Sequence, residues 1–221
     1  MRKGNFDLTH YTSWNRSRIH TILNYYGENF FRGKKMLEIG CGWADIGAYF
    51  ESIGADVTVS DAREEHINVI KHRHPNLKCK VVDSENTVWS YDEPQYDAII
   101  HFGLLYHLQN PSENLKMVCE RCDNLIIETE VLDSDDPYNI IFKREETIWE
   151  NGAWGMANSG IGSLPSYAWV ERELSENNME VTPIPNPSTA NAESHRYDWP
   201  RVNANVFVSA QRAMWFCKKN K

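Results

Sequence analysis

Five short apolar runs within residues 34–131 constrain this chain more than any other feature: "KKMLEIG", "ADVTVSD", "LKCKVVD", "YDAIIHFG" and "NLIIETEV". They read as strands that are apolar on both faces, and such strands belong to a parallel sheet covered on both sides. Stretches of helical spacing stand between them. "ADIGAYFESIG" is stopped by Gly54, "REEHINVIKHRH" is closed by Pro75, and "SENLKMVCERC" precedes the fifth strand. Parallel neighbours require such crossovers, so the alternation predicts a doubly wound α/β fold.

The flanks extend this frame. "SWNRSRIHTILNYYGENFF" carries Ile19, Ile22, Leu23 and Tyr26 at helical spacing, with Ser13 placed as N-cap, and predicts a helical N-terminal cap within residues 1–33. After residue 131 the rhythm breaks. Residues 132–162 are aromatic and Gly-rich and read as an insertion of the kind that carries function. Residues 163–221 predict a helix, "LPSYAWVERELSENN" capped by Ser163 or Ser166, then the strands "MEVTPIP" and "ANVFVSAQRAMWFCKK" joined by a loop. That ending adds an antiparallel pair, which makes a mainly parallel seven-stranded sheet in a single domain. A length of 221 residues suits one such core.

Composition narrows the partners. A net charge of −8 argues against nucleic acid, because phosphate contact rests on clustered Lys and Arg, and the terminal "CKKNK" reads as a solvated tail. No apolar run is long enough to span a membrane, and "MRKGNFDLTHYTSW" lacks the apolar segment of a signal peptide. The five cysteines are scattered and odd in number. Together these predict a cytoplasmic, reducing setting.

The turn after the first strand decides the class of ligand. In "EIGCGWADIG", Gly40 and Gly42 permit a tight turn and close backbone approach. A dinucleotide turn would place its third glycine at position 45, where Asp45 would instead repel a pyrophosphate at the helix N-terminus. The strand ends are acidic throughout: Glu38, Asp61, Asp83, and Glu128 with Glu130. Such a rim suits a cation without phosphate.

These residues resemble class I (Rossmann-like) S-adenosylmethionine-dependent methyltransferases, whose cofactor carries a sulfonium and an ammonium group. The resemblance covers residues 13–131. It implies S-adenosylmethionine as cofactor, held by Glu38, Gly40 and Gly42 of the first motif, with Ala44 standing where a further glycine is common. It implies that Asp61 grips both ribose hydroxyls and that Asp83 faces the adenine amino group, with Ser84 adding a backbone contact. "YDAIIHFGLLYHLQNP" resembles the family's fourth-strand motif. "SWNRSRI" and "GLLYHLQNP" are also similar to the wobble-uridine tRNA-modifying branch.

His107 follows the fourth strand, where the transferred methyl is expected to point, and is either a general base or a pocket wall. Tyr106 is a pocket wall or a donor to the acceptor, and His101, inside the strand, reads as core. Cys119 and Cys122 have a metal-like spacing without a second pair and read as structural. For Glu128, Glu130 and Asp133, an acidic rim facing a cation is simpler than a metal. Trp169 belongs to a helix, whereas Trp149 and Trp154 lie in irregular segments, and "SHRYDWP" offers His195, Arg196, Tyr197, Asp198 and Trp199 as donors and flat surfaces. Tyr106, Trp154, His195, Arg196 and Trp199 are therefore the candidate acceptor contacts. The expectation is methyl transfer to a small polar acceptor, a hydroxyl of a sugar or glycosylated metabolite. Its rivals are a tRNA-modifying enzyme and a non-catalytic cofactor-binding module.

Overall fold

The computed structural model describes residues 5–86, 94–145, 149–150, 153–154, 157–185, 196–197, 199–208 and 211–220. Helix α1 (Thr9–Tyr26) leads into β1 (Lys35–Ile39), α2 (Asp45–Ser52), β2 (Asp56–Asp61), α3 (Glu64–Arg73) and β3 (Lys78–Val81). There follow β4 (Tyr96–Phe102), α4 (Pro111–Glu120), β5 (Cys122–Glu130), β6 (Ile140–Arg144), and the two-residue strands β7 (Trp149–Glu150) and β8 (Ala153–Trp154). The chain closes with β9 (Ile161–Pro165), α5 (Tyr167–Glu176), β10 (Met179–Pro183) and β11 (Arg212–Lys219).

Seven strands form one sheet in the order β10-β11-β5-β4-β1-β2-β3. The pairs among β1 to β5 are parallel, as the alternating pattern predicts, and β11 and β10 join antiparallel, as the strand-loop-strand ending predicts. The strand order reverses between β1 and β4, and a ligand crevice opens above such a reversal.

Period-two alternation along each strand sends residues to two separate cores. Leu37, Ile39, Ile99, Leu125, Ile127 and Trp215 pack with α4 and α5 residues such as Leu115, Val118 and Val170. Met36, Val57, Val59, Ile100, Ile126 and Phe216 pack with Ile22 of α1, Phe50 of α2 and Ile67 of α3. Glu38 shares the second face with Met36, which brings it against α2.

Three boundaries differ from the sequence expectation, and at α5 one of the two expected caps is realised. Helix α1 begins at Thr9 after an extended Leu8, so Ser13 lies inside it rather than at its cap; Trp14, 4% exposed, carries the buried face one turn further back. Helix α5 starts at Tyr167, where Ser166 Oγ accepts from Trp169 N at 2.9 Å, and Ser163 lies in β9. The last strand starts at Arg212, because residues 202–206 are claimed by Asp133. Its carboxylate accepts from the N–H groups of Val202, Asn203 and Ala204, and its backbone pairs with Asn205 and Val206. Within the insertion, β6 pairs antiparallel with β9, whose residues cross the expected boundary at residue 162.

Candidate active site

The crevice at the β1/β4 reversal is lined by Glu38, Gly40, Gly42, Asp61, Asp83, Ser84, Tyr106 and His107, so most of the sequence-predicted site converges there. Its floor is the β1–α2 turn. A Cβ at Gly40 would come to 3.0 Å from Leu104, and one at Gly42 to 3.0 Å from the Phe6 ring, so side chains are excluded where a ligand must approach. Ala44 takes the left-handed conformation (φ 61°), which explains why glycine is common at this place and costs alanine about 1–2 kcal/mol. The helix-to-strand contact falls to Gly47, a role that sequence reasoning left unassigned. A Cβ there would lie 2.5 Å from Val59 and 2.7 Å from Glu38 Oε2.

The acidic residues do different work. Glu38 is buried and accepts from Gly47 N at 2.8 Å; burial pushes its carboxyl up to about 8, the Gly47 bond opposing. Asp61 accepts from Gly42 N (3.0 Å) and Arg63 N (3.0 Å) and pairs with His66 Nδ1 (3.1 Å). Three of a carboxylate's roughly four lone pairs are thereby engaged. One is left open while the Gly42 contact holds. Asp83 accepts from Glu85 N (3.0 Å) and Asn158 Nδ2 (2.9 Å). The Ser84 carbonyl accepts from Asn114 Nδ2 (3.1 Å), and Asn114 Oδ1 in turn meets His101 Nε2 (2.8 Å), so the buried strand histidine braces the turn beneath Asp83.

His107 and Tyr106 lie in a single helical turn after β4. His107 Nδ1 stands 2.8 Å from Glu145 Oε2, at the end of β6. Glu145 is buried, accepts from Ala157 N at 3.0 Å and has Lys143 Nζ at 3.2 Å. Burial raises its pKa, but the bond from His107 and the neighbouring charges outweigh this and hold it below the usual value. A carboxylate on Nδ1 favours the tautomer with its proton there, which puts the ring's lone pair on Nε2.

Beneath Tyr106 lies a buried ionic network that the sequence did not suggest. Glu128, fully buried, bridges Arg18 of α1 and Arg212 of β11. Arg212 Nη1 also reaches Glu130 at 3.2 Å. Arg18 stacks on Trp14 (3.4 Å to the centroid), and Arg212 lies 4.9 Å from the Tyr106 centroid. Pairing two guanidiniums with two carboxylates offsets a desolvation penalty that neither sign would survive alone.

Of the remaining acceptor candidates, the two that are described, Trp199 and Arg196, do not line the cleft. Trp199 is corrected to a sheet-edge residue: its Nε1 donates to the Arg212 carbonyl at 3.1 Å, and its ring sits 6.1 Å from Tyr167. Arg196 is exposed, and its carbonyl accepts from Arg212 N at 2.7 Å, a backbone bridge that starts β11. Tyr197, from the same segment, does approach the network, its hydroxyl accepting from Trp14 Nε1 at 2.8 Å. His195 and Asp198, and the side chains of Trp149 and Trp154, lie outside the described residues. Cys119 and Cys122 are buried free thiols at the α4–β5 junction.

Comparison with known proteins gives the family. A family model described as a methyltransferase domain matches residues 11–184. The ubiquinone biosynthesis O-methyltransferase of Shewanella pealeana is 28% identical over 127 residues, covering 56% of this chain and 50% of that protein. Its counterpart from Photorhabdus laumondii subsp. laumondii is 31% identical over 115 residues, covering 51% and 45%. The chain thus spans about half the length of the curated relatives it matches. Among solved structures, the N-terminal domain of EvdMO1 with SAH bound superimposes with a TM-score of 0.67 at 17% identity, covering 97% of this chain and 85% of that one. Magnesium protoporphyrin IX methyltransferase from Synechocystis PCC 6803 with bound SAM gives 0.59 at 11% identity, covering 93% and 80%. At such identities these two speak for the fold alone.

Proposed function

Because the chain belongs to the class I S-adenosylmethionine-dependent methyltransferases, we propose that it methylates a hydroxyl of a small polar acceptor, a sugar or glycosylated metabolite, with His107 as general base. The observation that carries this reading is the 2.8 Å pairing of His107 Nδ1 with Glu145 on the cleft wall.

When bound, S-adenosylmethionine supplies an electrophilic methyl on a sulfonium. The residues present fit it: Gly40 and Gly42 give a bare floor that a Cβ would fill, and the carboxylates around it would repel a phosphate but not a cation. Asp61 offers its remaining lone pair to a ribose hydroxyl, and Asp83, with two of about four engaged, faces the adenine amino group. Glu38 acts through Gly47, fixing helix α2 against the turn.

At the other end, His107 Nε2 accepts the acceptor hydroxyl's proton as that oxygen takes the methyl. Glu145 stabilises the imidazolium, which later releases the proton to water. Positioning supplies much of the rate and the base the rest. Tyr11, Trp14 and Tyr106 line the cleft and offer flat apolar walls of the kind that bind sugar faces. An aliphatic hydroxyl, being a much weaker acid than a phenol, gains more from a carboxylate-backed histidine. A phenolic acceptor is the second reading, favoured by the names of the ubiquinone-pathway relatives.

The test is methyl-labelled cofactor offered with neutral sugars, acidic sugars and catechol. Label should appear on a sugar oxygen, and His107→Gln should lower kcat about a hundredfold or more while keeping affinity for S-adenosylhomocysteine. Label on catechol alone would replace the sugar by a phenol. A Gln variant at the wild-type rate would leave His107 as a pocket wall.

A further inference from the structure

Arg212 is 2% exposed, yet its hydrogen bonding is incomplete. Nε is held by Glu128 and Nη1 by Glu130, while Nη2 is buried without a partner. Leaving a charged donor unsatisfied inside a protein is expensive, so a built site on that atom is expected to receive an oxygen. The open side is defined by Gly103, which lines the cleft. A Cβ placed there would sit 3.5 Å from Arg212 Nη2, 3.4 Å from Arg18 Nη2 and 3.9 Å from the Tyr106 hydroxyl. Arg18 Nη2 is already held by Glu128, so Arg212 Nη2 and the Tyr106 hydroxyl are the two donors left beside this bare spot of backbone.

We propose that the methyl acceptor carries a carboxylate, received over Gly103 by Arg212 Nη2 and the Tyr106 hydroxyl. This deepens the methyl-transfer reading above and rests on it. The position favours the acceptor over the cofactor. Asp61 and Asp83 stand beyond β2 and β3, whereas Arg212 opens β11, on the far side of β4 and β5. The network leaves room for an anion, because Glu128 is shared between two guanidiniums and Glu130 meets Nη1, so that no carboxylate is paired with Nη2. The donors favour a carboxylate over a phosphate: one guanidinium nitrogen and one hydroxyl match two oxygens in a plane. Tyr106 also meets the His107 ring, with centroids 4.0 Å apart, and lies 4.9 Å from Arg212, so it adjoins both proposed contacts of the acceptor.

The experiment is calorimetry on protein saturated with S-adenosylhomocysteine, using D-glucuronate against D-glucose and 3,4-dihydroxybenzoate against catechol. At least one acid should bind about tenfold or more tighter than its neutral partner, about 1.4 kcal/mol. Arg212→Lys, which keeps the charge but loses the fork, should bring that ratio close to one. Glu130→Gln, at a position 16% exposed, removes the competing anion on Nη1 and should raise it several-fold. The second variant decides the matter if the first melts below the assay temperature. Equal affinity within both pairs, or no binding of either acid at millimolar concentration, would overturn the proposal. So would an equal loss of S-adenosylhomocysteine affinity in Arg212→Lys, which would assign the fork to the cofactor's own carboxylate. These failures leave methyl transfer standing; only wild-type protein that binds no S-adenosylhomocysteine would remove that premise.

Discussion

His107 Nδ1 and Glu145 Oε2 lie 2.8 Å apart although 38 residues separate them in sequence. Gly162 makes the approach possible, since a Cβ there would meet the Tyr106 carbonyl and Glu145 Oε1 at 2.6 Å each. Glu145→Gln can still accept from Nδ1 but carries no charge to stabilise an imidazolium. It should lower kcat about 10- to 100-fold, the range seen for groups that orient a functional histidine, and leave S-adenosylhomocysteine affinity unchanged. Steady-state kinetics and calorimetry on one preparation check this. Undiminished kcat would mean that the pair is structural.

Asp61→Ala removes the proposed ribose contact and three bonds that Asp61 makes around the glycine turn. Charge-assisted bonds contribute about 1.5–3 kcal/mol each, so S-adenosylhomocysteine affinity should fall at least about tenfold. Calorimetry returning the wild-type affinity would contradict the ribose assignment.

Glu38 links stability to pH. Burial raises its pKa from the ordinary 4.5 to about 8 in the folded protein. A group raised in this way contributes stability that is complete below about 4.5 and is lost as pH climbs through about 8. Glu38→Gln stays neutral throughout and escapes the loss. The melting temperature of the variant relative to wild type should therefore increase between pH 5 and pH 9, with about 2–4 °C for each kcal/mol in a domain of this size. A difference that stays constant across that range would show that Glu38 ionises freely.

Trp199→Ala should act on stability rather than on the cofactor. It removes a half-buried ring and the donor to the Arg212 carbonyl, a loss of about 1–3 kcal/mol. A lower melting temperature with unchanged S-adenosylhomocysteine affinity is expected. An unaltered melting temperature combined with weakened acceptor kinetics would return Trp199 to the acceptor site.

The succession of strands and helices was legible because each strand and each crossover helix has its own local apolar period, and the acidic strand ends stand next to them in sequence. Glu38, Asp61 and Asp83 could be found for that reason. Glu145 could not: it sits in "FKREE", a run that reads as solvated charge until β6 pairs with β9. Arg18 and Arg212 were hidden in the same way, since each is buried only by meeting Glu128, 110 and 84 residues away. Trp199 misled because an aromatic in a Gly- and Asn-rich loop looks the same whether it faces a ligand or caps a sheet. The apolar "NVFV" likewise reads as strand, whereas Val206 and Phe207 are 46% and 41% exposed beside the Asp133 loop contacts.

The β6–β9 arm reaches both ends of the crevice. Glu145 at one of its strand ends holds His107, and Asn158, in the connection leading to β9, holds Asp83. Bonds to both His107 and Asp83 make the arm a poor candidate for piecemeal exchange. A graft that retargets the enzyme by replacing residues 136–166 would carry the Asp83 contact away with the old specificity. Chimeras that retain Asn158, or that restore a donor opposite Asp83, are the ones in which a new acceptor could be selected without first relearning the old cofactor.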